Sequence, residues 1–123
     1  MKLTKEEAIQ KHRELWNWIA DETERRQDCV SKEEYFENIG VGRNEAPLNN
    51  CYCCEYAHNQ TNTFGATKCE SCPIWSFDKP CESAFESDNL PYVLWRCAYE
   101  SGAWEKAAKY ARIIANLPER SDA

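Results

Sequence analysis

Two Cys-x-x-Cys pairs, Cys51–Cys54 and Cys69–Cys72, constrain this chain more than any other feature of its sequence. Two residues separate the thiols within each pair, so a single turn can present both sulfurs to one ion. The pairs are separated by residues 55–68, a length close to that found in zinc sites built from two such pairs. The spacing therefore predicts one structural Zn²⁺ ion held by Cys51, Cys54, Cys69 and Cys72.

Three nearby side chains leave the exact ligand set open. Cys53 adjoins Cys54 and could take its place if the turn is irregular. Cys81 could replace Cys51, and His58 could supply a ring nitrogen. In the alternative interpretation, Cys53 and Cys81 are small, partly buried thiols that pack as hydrophobic groups.

The remaining cysteines and the other thiol chemistries fit the sequence less well than zinc does. Cys29 and Cys97 lie far from the pairs in sequence, on predicted helices, and are expected in the core. Four thiolates also hold iron–sulfur clusters, but the spacing does not match that of ferredoxins. A redox role for Cys69–Cys72 would require a βαβ context, and helices and loops are predicted instead.

Capping and apolar periodicity predict two helices before the cysteines. Thr4 and Glu7 form a capping-box pattern at the start of an amphipathic helix from about 5 to 28. Ser31 and Glu34 repeat the pattern before a short helix that Gly40 ends. The segment 41–50 reads as a loop.

A helical hairpin is predicted after the cysteines. Pro91 suits the first turn of a helix, Ser101–Gly102 breaks it, and a second helix runs from about 103 to 116. Leu94, Trp95, Ala98 and Tyr99 are predicted to form the inward face of the first of these helices. Between 51 and about 88 we find no sustained helical or strand period. The predicted fold is mainly α and a single domain over 1–123, in which helices at 5–40 and the hairpin at 91–117 frame an irregular zinc-binding module at 51–88.

The charge and apolar content of the chain limit the partners and compartments that we expect. The formal charge is −6, and residues 51–88 contain two basic side chains, Lys68 and Lys79, against six acidic ones. This composition makes nucleic-acid binding by the cysteine region unfavourable. The sequence contains no secretory signal pattern and no apolar run of about 18 residues. We therefore expect a cytoplasmic protein without a membrane partner, in which the thiols stay reduced.

Catalytic motifs are missing from the sequence. Four thiolates leave zinc no open position for water, which catalytic zinc requires. His12-Arg-Glu14 matches part of a zinc deaminase motif by letter, but His12 lies on the apolar stripe of a helix and is expected in the core. No Gly-rich phosphate loop is present. The prediction is that the chain is not an enzyme.

Several apolar side chains deviate from the helical patterns and are candidates for binding a protein partner. Trp18 projects from the apolar stripe into a charged face, and Ile113 falls among lysines on the outer face of the last helix. Trp75 is the third candidate. Tyr52, Tyr56, Trp75 and Phe77 could be exposed as partner anchors, or they could cover the metal.

The layout resembles small cysteine-rich zinc-binding proteins encoded by phages and prophages of Gram-positive bacteria. The matching segments are 11–20 (KHRELWNWIA), 51–57 (CYCCEYA), 69–75 (CESCPIW) and 114–118 (IANLP). By association, the resemblance implies a small phage protein that binds a host protein and inhibits a defence component such as a CRISPR nuclease. The expected function is a non-enzymatic, zinc-stabilised protein-binding module, and the alternative is a nucleic-acid-binding, zinc-finger-like regulatory protein.

Overall fold

The computed structural model describes residues 3–42, 45–47, 50–61, 72–74 and 90–119. Over these residues the chain is mainly helical, with five helices and no strand. The helices are α1 (Lys5–Arg26), α2 (Lys32–Asn38), α3 (Tyr52–Thr61), α4 (Pro91–Ser101) and α5 (Trp104–Ala115). The predicted mainly α fold, with its long N-terminal helix and its C-terminal helices, is confirmed.

The first helix begins and ends close to where its sequence predicts. The Thr4 hydroxyl accepts a hydrogen bond from the Glu7 amide, and the Glu7 carboxylate accepts one from the Thr4 amide, both at 3.1 Å. Each bond satisfies an amide that the helix cannot pair internally. The helix ends at Arg26 because Gln27 adopts the left-handed conformation, with φ 54°, and its amide bonds back to Thr23.

α1 is the central helix of the fold, because α2, α3 and α5 all pack against it. Its buried side chains fall on one face: Ala8, Ile9, His12, Leu15, Trp16, Ile19, Ala20 and Thr23. The facing helix α5 buries mostly alanines, whose short side chains permit a close approach of the two backbones. The Arg112 guanidinium closes one side of this interface by hydrogen bonding to Asn17 at 3.0 Å and Asp21 at 2.7 Å.

α2 and the C-terminal hairpin follow their predicted boundaries. α2 has the expected capping box of Ser31 and Glu34, and Gly40 follows it with φ 75°. Pro91 occupies the first turn of α4, and Gly102, with φ 74°, separates α4 from α5. Both glycines lie in the left-handed region, where a residue with a side chain is strained.

The face of α4 that points inward differs from the prediction. Val93, Trp95 and Ala98 are buried, whereas Tyr99 is 38 % exposed and Leu94 is only partly buried. α4 packs against α5, and the rings of Trp16 and Trp95 meet edge to face at 4.8 Å, so Trp95 and not Tyr99 occupies the buried side of the helix. The prediction that Tyr99 faces inward is therefore wrong.

α3 lies in a segment that was predicted to be irregular. Residues 52–61 contain neither Gly nor Pro, and Tyr52, Cys53 and Ala57 bury one side of the helix. The Tyr52 ring packs against Phe36 of α2 at a centroid distance of 5.9 Å. The rest of the predicted zinc module, apart from 72–74, lies outside the described residues. None of the described helices combines the length and the apolar character needed to cross a membrane.

Candidate metal centre and partner surface

Cys51 caps the N-terminus of α3 with its thiol. The Cys51 carbonyl accepts the first helical hydrogen bond, from the Glu55 amide at 3.0 Å. The Cys54 amide donates to Cys51 Sγ at 3.3 Å. The hydroxyls of Thr4 and Ser31 cap their helices in the same way, because each accepts a hydrogen bond from the amide of the third helical residue. A helix N-terminus favours negative charge, so this position stabilises the thiolate, the form of cysteine that binds metals.

The first Cys-x-x-Cys pair is brought together by this turn. The side chains of Cys51 and Cys54 form a hydrogen bond with each other, and this bond lowers the pKa of Cys51 to about 6 against the opposing effect of burial. Lys32 and backbone hydrogen bonds from Cys54 and Cys53 lower it further. The turn therefore presents two sulfurs on the same side of the chain, as binding to a common ion requires.

Cys53 and Cys72 meet on the buried side of α3. Their side chains form a hydrogen bond, and both are buried in the core. This bond, together with burial and the neighbouring thiols, raises the pKa of Cys53 well above its usual range. Cys72 is followed by the buried residues Pro73 and Ile74. Cys72 is thus held against Cys53, a contact that the sequence spacing does not predict.

Lys32 places a positive charge beside these thiols. Its ammonium lies 4.9 Å from the centroid of the Tyr92 ring. Burial opposes the charged form, but Tyr92, Cys51 and Cys54 together raise the pKa of Lys32. The lysine therefore stays protonated at neutral pH and partly balances the negative charge that builds up around Cys51.

The complete ligand set is a prediction that extends beyond the described residues. Within 3–42, 45–47, 50–61, 72–74 and 90–119, no group of three or more His, Cys, Asp or Glu side chains is arranged to hold a metal ion. Cys69 and Cys81 lie outside these ranges. His58 lies in the last turn of α3 and is partly buried. The thiols that are described suit Zn²⁺, which prefers soft sulfur ligands.

Cys29 and Cys97 occupy other parts of the fold. Cys29 follows α1 and donates a long hydrogen bond, 3.9 Å, from Sγ to the Ala98 carbonyl of α4. It packs against the hydrophobic core, as expected, although it lies outside a helix. Cys97, which was expected in the core, is only half-buried on α4, where it lines a small cavity of about 130 Å³ between α4 and α5.

His12 is a core residue, as the helical pattern indicates. Its side chain is buried, and Nε2 lies 3.0 Å from the Ile114 carbonyl of α5. A neutral imidazole that carries its proton on Nε2 donates this bond. Burial lowers the pKa of His12 to about 4, so the ring stays neutral at physiological pH.

Two of the predicted partner-binding side chains can be placed, and they differ in exposure. Trp18 is half-buried, because Tyr35 of α2 packs against its ring at 5.5 Å and the Arg26 guanidinium lies 6.0 Å from it. The helical pattern of α1 could not predict this cover from another helix. Ile113, in contrast, is 40 % exposed, as predicted. Trp75 lies outside the described residues.

The tyrosines near the cysteines are less exposed than a partner surface would require. Tyr52 is buried, which excludes it as an exposed anchor, and Tyr56 is partly buried. Phe77 lies outside the described residues. Two exposed apolar side chains were not predicted: Ile39, which is 45 % exposed beyond the end of α2, and Tyr99.

Ile113 borders an open depression of about 440 Å³ between α1 and α5. Glu24 contributes from α1, and Ala108, Lys109, Arg112 and Asn116 contribute from α5. The Arg112 guanidinium in its wall contacts the carboxylates of Asp21 and Glu24. The apolar side chain of Ile113 therefore lies beside charged groups that largely neutralise one another.

Neither fold nor sequence places the chain in a family. The resemblance to small phage proteins stays an expectation carried by the four sequence segments. No protein-family model, curated protein or solved structure matches the chain.

Proposed function

We propose that this protein is a non-enzymatic, zinc-stabilised protein-binding module that acts in the cytoplasm. The observation that carries the proposal is the exposure of Ile113, on a helix whose other large aliphatic side chain, Ile114, is buried. An isolated exposed isoleucine is common, but this one lines an open depression that it shares with Glu24, Lys109 and Arg112. The surface therefore combines an apolar centre with a charged rim, as protein interfaces do.

In this proposal, zinc has a structural role. α3 has 10 residues, a length at which an isolated helix is marginal in water. Cys51 and Cys54 would supply two ligands, and Cys69 and Cys72 would supply the others. When bound, the ion cross-links the start of α3 to the segment after it, and a closed set of four thiolates leaves no position for catalysis.

A protein is a better occupant of the Ile113 surface than a nucleic acid. Phosphate binding requires uncompensated Lys and Arg charges, whereas the Arg112 guanidinium lies 2.7 Å from Asp21 and 3.4 Å from Glu24. The remaining cation in the wall is Lys109, beside Ile113. The complementary partner is a protein that inserts an apolar side chain next to a carboxylate.

The sequence resemblance suggests the source of such a partner. If the chain is phage-encoded, the partner is a host protein, and the binding inhibits a host defence component such as a CRISPR nuclease. This step rests on association with small phage proteins, whereas the binding surface rests on the contacts of α5.

Metal content tests the zinc part of the proposal. Elemental analysis of the purified protein should give one zinc per chain. The ion should be lost in each of C51S, C54S, C69S and C72S, and kept in the matched controls C29S and C97S. A folded wild-type protein that contains no zinc when purified under reducing conditions would overturn it.

Capture from a Gram-positive host lysate tests the binding part. Wild type, I113E and I39E are compared, because I39E makes the same change at another exposed isoleucine. The captured protein is then purified, and its affinity is measured by calorimetry. We expect I113E to lose the interaction while I39E keeps it. Equal binding by all three proteins, or binding to duplex DNA that persists in 200 mM salt, would contradict the assignment.

A further inference from the structure

Lys32 stands at a position where its own helix does not favour it. It is the first residue of α2, directly after the capping residue Ser31. The start of a helix carries partial positive charge and favours acidic side chains, which Glu33 and Glu34 provide. A lysine at this point therefore gains its favourable interactions from groups outside α2.

Those groups belong to α3 and α4. The Lys32 ammonium lies 4.9 Å from the Tyr92 ring centroid on α4 and interacts electrostatically with Cys51 and Cys54. The neighbouring Glu33 accepts a hydrogen bond from Asn50 Nδ2 at 3.1 Å. This bond holds Asn50, which precedes Cys51, against Glu33, which follows Lys32. The hydrogen bond of Glu33 thus fixes the start of α2 beside the thiol turn, and Lys32 is the first residue of that helix.

We propose that Lys32 is the counter-charge of the metal centre, a positioning residue whose ammonium offsets the negative charge of the zinc-bound thiolates. This inference rests on the zinc site of the proposed function. Zn²⁺ with four thiolates carries a net charge of −2, and burying such a charge is unfavourable unless a cation lies close to it. Lys32 donates no ligand to the ion, and its ammonium lies over the Tyr92 ring.

Metal affinity in the full-length protein tests this role. Zn²⁺ is titrated in competition with a chromophoric chelator, and Co²⁺ absorption reports the thiolate ligands. K32M keeps the length and apolar stem of the side chain but removes its charge, and we expect it to weaken binding about 10- to 100-fold. K32R restores the charge and should bind within about threefold of wild type. K5M is the matched control, since Lys5 is likewise the first residue of its helix but forms an ion pair with Glu119 at 3.0 Å, and it should leave the affinity unchanged.

The outcomes separate this inference from the proposed function. If the wild type binds neither ion, the zinc site fails, and the role of Lys32 fails with it. If the wild type binds zinc and K32M binds within twofold of it, only the role of Lys32 is overturned. If K32M and K32R weaken binding equally while K5M leaves it unchanged, the effect comes from packing and not from charge, and this result would also overturn the role of Lys32. Helical content is checked by circular dichroism, and K32Q serves as a second neutral variant if K32M does not fold.

Discussion

The framework formed by α1, α4 and α5 differs from the segment around α3 in what holds it together. The framework buries large side chains from each helix, among them Leu15, Trp95 and Ile114. α3 buries Tyr52, Cys53 and Ala57, and two of these contribute little apolar surface. Hydrophobic burial therefore stabilises the framework without a ligand, whereas α3 depends on its neighbours and, in our proposal, on a metal ion.

The helix starts show the same contrast on a smaller scale. Thr4 and Ser31 cap their helices with hydroxyl oxygens, which accept hydrogen bonds whatever the metal or redox state of the chain. Cys51 caps α3 with sulfur, a weak acceptor unless it is ionised. The cap of α3 is thus linked to the ionisation state of the Cys51 thiol, whereas the hydroxyl caps of α1 and α2 do not ionise.

The largest expected effect is that of metal removal, and it should be confined to α3. Structural zinc contributes apparent binding free energies of about 10–16 kcal/mol in small zinc peptides, so its loss can unfold the segment that it orders. After treatment with a strong chelator, we expect the amides of α3 to exchange with deuterium at least about 100-fold faster. The amides of α1 and α5 should keep their protection, and its loss would show that the two regions are not separable.

Truncation in the framework should give the converse result. Ile19 is fully buried, so I19A leaves a cavity and should lower the free energy of unfolding by about 2–5 kcal/mol, as measured in urea. The zinc content should not change. I113A, which truncates the exposed isoleucine, is the control and should change stability by less than about 0.5 kcal/mol. If folded I19A lost its zinc, the framework and the α3 segment would not be independent in stability.

Acid should weaken the framework through His12. Its pKa is lowered from an ordinary value of 6.5 to about 4, so the unfolded chain binds more protons between these values. The stabilisation that comes from keeping His12 neutral is therefore fully present above pH 6.5 and is lost as the pH falls through 4. The free energy of unfolding decreases by about 3 kcal/mol over this range.

The variant H12Q isolates this effect, because its amide can still donate to the Ile114 carbonyl but does not titrate. Urea unfolding of the two proteins is compared from pH 7 to pH 4, so that acid-induced release of a metal affects both. We expect the wild type to lose more stability than H12Q over this range. Parallel pH profiles would show that the burial of His12 does not control the acid sensitivity.

The smallest expected effect is at the α1 cap. T4A removes the hydroxyl that accepts the Glu7 amide and should cost about 1 kcal/mol of unfolding free energy. T4S, which keeps the hydroxyl, should cost a few tenths at most. Thermal unfolding with unchanged zinc content is the measurement, and equal losses in T4A and T4S would exclude capping as the cause.

The framework could be predicted because its signals are local. The capping pair Thr4 and Glu7, the apolar period of α1, and the breaks at Gly40 and Gly102 all lie within a few residues of the features that they determine. Such short-range patterns survive in the fold because nothing in the tertiary structure opposes them.

The features that could not be predicted depend on contacts between distant residues. α3 buries Tyr52 against Phe36, and Trp18 is covered by Tyr35, so in both cases a residue of α2 decides the exposure. The Cys53–Cys72 contact likewise joins two residues whose sequence spacing carries no signal for it. Cysteine spacing indicates which thiols can share an ion, but not which neighbours surround them.

The alanine face of α5 limits how the surface around Ile113 can evolve. Ala107, Ala111 and Ala115 are buried, and near the same end of the helix the Ile114 carbonyl meets His12 of α1. A larger residue at any of the three would push α5 outward and displace both this hydrogen bond and the depression. Lys109, Ile113 and Asn116 are exposed and carry no such constraint. The buried face of α5 is thus fixed by packing, whereas its exposed face can change in sequence and so bind new partners.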